Sequence, residues 1–368
     1  MLETLGGFKK SLADLVLKGT LKSANAIGSV YFSEELKAIS KLSNLPLEKV
    51  IALQLVYEAS TCCTSIVVNH KDGKSPIHIR TMDWAMEFLS PLTIEVEFFR
   101  NKKLLFRATT WAGYVGVLTG SKPSQFSASI NFRATTKGSF WTNVRESLTG
   151  SWPIGFLLRA CFEDCSSFDE AKSALSHSCL IAPTYVTLCG VQPGEAALLT
   201  RAALTLEQPV DLKQSGGVIV QTNIDHWSSS AYEDIMDSIE RRRVAKSLLN
   251  GGVPMDGDAL WSLMSFSPIL NDITIYGTLM RPSDDTYETR LPRQKHGFER
   301  DGDTSSDTFN QKATCVDCGK RFIDNLNAAG FCSHAGTWHA TFGDCSMLKC
   351  AVGLKTSVGK QHWSCCFS

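Results

Sequence analysis

Two neighbouring cysteines, Cys62 and Cys63, end a helix-textured segment and begin a run of β-branched residues. A core cysteine is ordinarily a small buried hydrophobe. Position singles out this pair, because a precursor can be cut at such a junction to expose a new N-terminus. An N-terminal cysteine needs no separate histidine: its thiol titrates near ~8.5 and its α-amine near ~7.7–8.0, so the amine can serve as the base. The chemistry then requires a cation, a carboxylate to hold the amine, and donors for an oxyanion. Arg80 and Asp83 follow in the next strand-like run, beyond an Asp72–Gly73 turn signal. A two-residue turn there sets Cys63 opposite Met82, with Arg80 diagonal on the same side; one more loop residue sets Cys63 opposite Asp83. Either register brings Arg80 and Asp83 within reach of Cys63. A solvated Arg–Asp pair on a strand meets the same spacing equally well.

A second set of chemistry-bearing residues lies at the other end. Of the 13 cysteines, seven fall in the last 54 residues, with three histidines. The series is Cys315, Cys318, Cys332, His334, His339, Cys345, Cys350, His362, Cys365 and Cys366. Ten such ligands beside Gly319, Gly330, Gly336 and Gly343 predict structural zinc in tetrahedral sites of four. The tail has too little apolar surface to fold without such a staple. C-G-x-x-F, C-x-H-x-G and W-S-C-C resemble fragments of the CHORD zinc domains, with different spacing. The protein partner of this tail is not readable.

The elements that must position these groups follow from periodicity. Residues 1–62 read as a helical N-terminal segment, with Ser33 as a cap and Val50, Leu53 and Val56 on one face. Residues 63–292 alternate short strands (TSIVV, IHIRTMDW, LTIEVEFF, KLLFRATTW, FSASINF, TYVTLCGV, AALLT, GVIVQTN, ITIYGTLMR) with helices at 152–161, 168–175 and across AYEDIMDSIERRRVAKSLLN. This predicts a layered α+β body. Residues 282–312 have linker texture, placed at 293–312 between the body and a Cys/His-rich unit at 313–368.

Composition narrows the function classes. The 37 basic and 37 acidic residues cancel, which argues against nucleic-acid binding through an overall field. No apolar run reaches the ~18 residues of a membrane span. No Asn-x-Ser/Thr sequon occurs, and the first residues lack the ~7–15-residue apolar stretch of a secretory signal. These absences predict a cytoplasmic protein, or a lysosomal one if the true N-terminus is missing, and the N-terminal helices could make peripheral membrane contact.

CTSIVV (63–68), HIRTMDW (78–84), TWAGYVGVLTGSKPSQFS (110–127), WPIGFLLR (152–159), VQTNIDHW (220–227) and TIYGTLM (274–280) together closely resemble the acid ceramidase and N-acylethanolamine acid amidase family. The resemblance covers about residues 30–292. It implies a four-layer αββα N-terminal-nucleophile hydrolase sandwich, cut between Cys62 and Cys63, that hydrolyses a lipid amide without a catalytic cofactor. It implies Cys63 as nucleophile, with Arg80 lowering its pKa and Asp83 tuning the amine. Asn223 becomes the oxyanion donor, Asn131 a further candidate for that role, and Arg241 the match to an arginine of the D-D-R-R segment. Where ceramidase-like members read N-E-R, this chain reads Asn131–Phe132–Arg133. A non-catalytic scaffold, or a hydrolase of penicillin- or bile-salt-type amides, are the competing readings. Phe88, Leu89, Trp111, Phe126, Trp141 and Trp152 are candidates for an acyl channel, though such residues are usually core.

Overall fold

The β-branched runs form two antiparallel sheets whose central strands are buried on both faces, which is why those read as continuous rather than alternating stretches. The structure is a computed structural model that describes residues 31–55, 61–133, 151–229, 234, 237–249, 254–292 and 298, with the backbone of four short strands after residue 311. Five strands make the first sheet: β1 (Cys62–Asn69), β2 (Pro76–Asp83), β10 (Val218–Gln221), β11 (Thr274–Arg281) and β12 (Thr286–Arg290), ordered β10-β1-β2-β11-β12. Seven make the second, in chain order: β3 (Thr93–Arg100), β4 (Lys103–Trp111), β5 (Thr119–Lys122), β6 (Phe126–Phe132), β7 (Thr184–Cys189), β8 (Ala196–Arg201) and β9 (Leu206–Asp211).

Helices cover the outer faces. Two N-terminal helices, α1 (Ser33–Ser43) and α2 (Leu47–Gln54), come first. Helices α3 (Ile154–Asp164) and α4 (Phe168–His177) lie on the larger sheet, where Phe162 stacks between Phe106 and Phe126. Helices α5 (Ser238–Leu248) and α6 (Gly257–Met264) lie on the smaller, over Ile66, Val68, Ile77, Ile79 and Leu279. The result is the expected four-layer αββα sandwich. The sequence reading missed α6, β5, β9 and β12. The last falls within 282–292, residues read as linker in texture. Phe298, inside the 293–312 linker, is buried against Trp261 with ring centroids 5.2 Å apart. Gly277 makes room for that pair, since a Cβ there would come within 3.0 Å of both rings. Ser33 starts α1 without capping it; Phe32 holds the cap position.

The inner space between the sheets is unusually polar around β1, β2 and β6. Along β1, even-numbered Ile66 and Val68 face the helices, while Cys63 and Ser65 face the other sheet. Ser65 donates to Asn131 Oδ1 at 2.7 Å, which leaves Ser129 to donate to Ser65 at 2.8 Å and His78 Nε2–H to donate to Ser129 at 2.9 Å. Ser127 lies 3.2 Å from the Nδ1 of His78. Burial, with Arg80 close by, takes its pKa down to about 3.

That histidine has a consequence for acid stability. Between its unfolded value near ~6.5 and about 3, the unfolded chain binds a proton that the folded chain refuses. Stability contributed by neutral His78 is complete above that window and falls as pH drops, by ~1.4 kcal/mol per unit. By pH 5 the loss is about 2 kcal/mol. Urea midpoints at pH 7, 6 and 5 should therefore fall steadily for the parent and more gently for His78→Gln. Parallel slopes would contradict the assignment.

The N-terminal helices dock on the loop before β5 and on α3. Leu36, Val50 and Ile51 pack with Val115, Phe156 and Ile181. Arg159 grips Glu35 through two 2.6 Å hydrogen bonds and lies 4.1 Å from the Phe32 ring. Gln54 donates to Gly113 O at 3.0 Å and accepts from the Val115 N–H at 2.7 Å. Each of these contacts joins the segment before Cys62 to the body after Cys63 without using the bond between them, so they can outlast its cleavage.

Candidate active site

Pairing between β1 and β10 stops at Ser65–Gln221, two residues short of Cys63. Side chains replace the missing strand there. The Cys63 N–H donates to Asn223 Oδ1 at 2.8 Å, and Arg241 Nη1 donates to the Cys63 carbonyl at 2.7 Å. Asn223 comes just after β10, and Arg241 comes from the first turns of α5. Arg241 Nη2 also donates to Asn223 Oδ1 and to Ser238 Oγ, both at 2.9 Å. The backbone of Cys63 is thus held by groups that can let go of it, unlike a ladder strand.

The thiol points into the polar space between the sheets. Of the two registers open from sequence, the structure has Cys63 opposite Met82 and Ser65 opposite Arg80. The loop is six residues, 70–75, but it preserves the pairing of a turn centred on Asp72–Gly73, with Gly73 at φ 69°. Arg80 Nη2 donates to Cys63 Sγ at 3.0 Å and to Ile130 O at 2.9 Å, while Nη1 donates to Thr119 and Tyr276 at 2.8 and 3.0 Å. The guanidinium is therefore aimed by both sheets. Burial pushes the Cys63 thiol above its ordinary pKa; Arg80 opposes this and Asp83 reinforces it. In the uncut chain burial wins, so the pKa lowering assigned to Arg80 is present but outweighed.

Asp83 sits opposite Cys62 in the ladder. Its Oδ1 accepts from Thr274 at 2.7 Å, and its Oδ2 lies 3.8 Å from Arg241 Nη1. Burial pushes this carboxyl up, and Arg241 pulls it down. Burial also drives the Cys62 thiol up to about 12, which leaves that neighbour inert.

Asn131 does not fill the role given to it. Its Nδ2 donates to Gln221 O at 3.1 Å and to Thr222 O at 3.3 Å, and its Oδ1 accepts from Ser65. Both amide hydrogens are committed to tying the sheets together, so it is no oxyanion donor. Asn223 Nδ2 donates to Phe132 O at 2.8 Å and to Thr61 O at 3.3 Å. The second acceptor lies on the far side of the expected cut, and separation there frees a donor beside Cys63.

Thr119, Thr274, Tyr276 and Ser238 support the site and were not singled out in the sequence. The signal was present in T-I-Y-G-T, where hydroxyls recur at every second strand position. Among the acyl-channel candidates, Trp111 and Phe126 are core, Trp152 stacks on Tyr31, and Phe88 is exposed. Trp141 lies outside the described residues. So do eight of the ten tail ligands and the side chains of His339 and His362, whose backbones face each other across a short strand pair. Among the described residues no group of three or more His, Cys, Asp or Glu could hold a metal.

Residues 63–198 match the model of the linear amide C–N hydrolases, choloylglycine hydrolase family, a match that begins on the proposed nucleophile. Acid ceramidase of Homo sapiens is 36% identical over 283 residues, covering 71% of this chain and 69% of that protein. Acid ceramidase of Heterocephalus glaber is 35% identical with the same coverage. Among solved structures, the Caenorhabditis elegans ortholog of N-acylethanolamine-hydrolyzing acid amidase matches with a TM-score of 0.52 and 28% identity, over 60% of this chain and 93% of that one.

Proposed function

From the chain's membership of the linear amide C–N hydrolases of the choloylglycine hydrolase family, beside the acid ceramidases, we propose that it matures by cutting itself before Cys63 and then hydrolyses ceramide- or N-acylethanolamine-type amides. It is a fatty-acyl amide hydrolase with N-terminal-nucleophile architecture. The observation that carries the finer reading is convergence on one residue: Arg80 on the Cys63 thiol, Asn223 on its N–H and Arg241 on its carbonyl.

In maturation, Cys63 Sγ attacks the Cys62 carbonyl carbon. The Cys62–Cys63 C–N bond breaks, the nitrogen takes up the thiol proton, and a thioester remains. Water hydrolyses that thioester, leaving a carboxylate on Cys62 and restoring the thiol beside a free α-amine. In turnover the same thiol attacks a fatty amide, with the amine taking its proton and passing it to the leaving amine as the amide C–N bond breaks; water then hydrolyses the Cys63 thioester, releasing the fatty acid and restoring the thiol. Asn223 Nδ2 donates to the oxyanion, Arg80 favours the thiolate, and Asp83 with Arg241 holds the charge on the amine side. Burial of the nucleophile in the uncut chain makes that form a zymogen.

The acid ceramidase relatives overturn the cytoplasmic expectation, since enzymes named for acid activity are at odds with a near-neutral cytosol. The helical segment at 1–62, the catalytic body at 63–292 and the tail at 313–368 are proposed as the units of the mature protein. The ten Cys and His of the tail are proposed as structural zinc ligands on their spacing.

Denaturing intact-mass analysis, native mass spectrometry for zinc and a fatty-acid release assay, all on the full-length protein, test these points. The expected result is two fragments meeting at Cys62–Cys63, at least one zinc per molecule, and release of fatty acid from an acyl-amide panel at acid pH. An uncut, inert chain would falsify the hydrolase mechanism, and a zinc-free one the tail assignment.

A further inference from the structure

Three consecutive residues at the end of β6 stitch the larger sheet to the loop that follows β10. Asn131 binds the carbonyls of Gln221 and Thr222, Phe132 O accepts from Asn223 Nδ2, and Arg133 makes a two-pronged pair with Asp225. Arg133 Nε and Nη2 donate to Asp225 Oδ1 and Oδ2 at 2.7 and 2.8 Å, and Nη2 also reaches Glu207 at 2.7 Å. Tyr185, on β7, donates its hydroxyl to Asp225 Oδ1 at 2.7 Å. From the other side, Arg242 on α5 donates to Asp225 O at 2.9 Å and to Ser228 O at 2.6 Å. The Arg133 side chain is 4% exposed.

We propose that Arg133 is a positioning residue for amide hydrolysis, which acts through Asp225 to hold the Asn223 side-chain amide where the oxyanion forms.

A desolvated ion pair contributes little net stability against a well-packed apolar alternative, so its value lies in fixing geometry. Asn223 is two residues from Asp225; among the described residues its backbone N–H and Nδ2 donate to Ser238 Oγ, Thr61 O and Phe132 O, and its Oδ1 accepts from Arg241 Nη2 and the Cys63 N–H. Cleavage before Cys63 releases the Thr61 side. The Asp225 clamp then acts with Phe132 O and Arg241 to restrain where that amide points. The planar fork of Arg133 specifies both carboxylate oxygens at once, which an ammonium cannot do. A donor that acts only in the transition state must be placed within a fraction of an ångström, and a shift of about 1 Å can cost ~100-fold. Phe132, where ceramidase-like members carry a glutamate, contributes to this seam only through its backbone carbonyl.

The inference rests on the hydrolase reading, and one experiment separates the two. Full-length protein and its Arg133→Gln, Arg133→Lys, Asp225→Asn and Tyr185→Phe variants are assayed on a fluorogenic fatty-acyl amide, and exposed Cys63 is counted by iodoacetamide labelling. Per labelled site, Arg133→Gln and Asp225→Asn should lose about 10–100-fold in kcat, with KM within about 3-fold and an unmoved pH optimum. Arg133→Lys should recover part of kcat, and Tyr185→Phe should lose less than either. If Arg133→Gln fails to fold, the isosteric Asp225→Asn carries the test. A kcat per labelled site equal to the parent's in Asp225→Asn, with losses tracking only the folded fraction, overturns the positioning role while leaving the hydrolase intact. A parent that neither cuts nor hydrolyses overturns both.

Discussion

Cys63→Ala protein should remain a single chain and turn over no fatty-acyl amide. The expected loss in kcat is on the order of 10⁴-fold or more, the scale reached when a covalent nucleophile is removed. The same atom is used twice, so one substitution abolishes both cleavage and turnover. Cys63 is fully buried in the core, and alanine there removes one atom, Sγ, with its contacts to Met82 Sδ at 3.7 Å and Arg80 at 3.0 Å. The variant should therefore fold and keep the parent's uncut mass. Denaturing gel and intact mass report the first effect, and a fatty-acid release assay the second. Cleaved Cys63→Ala protein would remove Cys63 from the mechanism, and with it the alignment of Arg80, Asn223 and Arg241.

Arg241→Met should be the most destabilising single change at the site. Arg241 is buried and donates to Cys63 O, Thr64, Asn223 and Ser238, and it is the charge nearest Asp83 Oδ2. Its removal leaves a fully buried carboxylate beside orphaned acceptors, a change that costs about 3–5 kcal/mol at pH 7. The pH dependence identifies the group responsible. Burial already holds the Asp83 carboxyl above its unfolded value near ~3.8, and loss of Arg241 raises it further. Between the unfolded and folded values the folded state binds a proton that the unfolded state does not. The variant therefore regains stability as pH falls toward ~4. Urea unfolding of Arg241→Met against its parent, both in a Cys63→Ala background that stays uncut, should show a deficit at pH 5 smaller than at pH 7. Comparison at each pH cancels the His78 contribution, and a deficit independent of pH would assign the damage elsewhere.

Cys63, Arg80, Asp83, Asn223 and Arg241 were all named from the sequence, and the fold brings them together. Strand alternation carried Cys63 and Arg80 to the same inner face, but spacing could not choose between two hairpin registers; the six-residue loop settled it. Asn131 was misread because a sequence does not show which way an amide points, and its hydrogens were already taken by Gln221 and Thr222. Of the missed strands, β5 is only T-G-S-K, with no apolar run to mark it, and β9 and β12 are edge strands with polar content. β9 carries Pro209, and β12 is T-Y-E-T-R, whose Tyr287 and Thr289 hydrogen-bond to Thr109 across the sandwich. Period-two reading looks for apolar inward faces, and this interior is lined with Ser, Thr, His and Arg where the sheets meet. Phe298 escaped notice as one aromatic in a charged stretch, with no periodic neighbours to mark it.

Adjacent thiols on one strand create a choice that a lone cysteine would not. A slip of β1 by one residue exchanges its faces, sending Cys63 to the helices and Cys62 to Arg80. In most strands such an error would present an unreactive side chain. Here it would present a second nucleophile, one residue early, and scission would fall after Thr61. Hydrogen bonding along β1 and β2, from Cys62–Asp83 to Asn69–Pro76, is what selects one thiol over its twin. Under the proposed self-cleavage, the new chain's first residue would be a permanent record of how the hairpin zipped, and end-group sequencing of the mature protein would count those errors molecule by molecule.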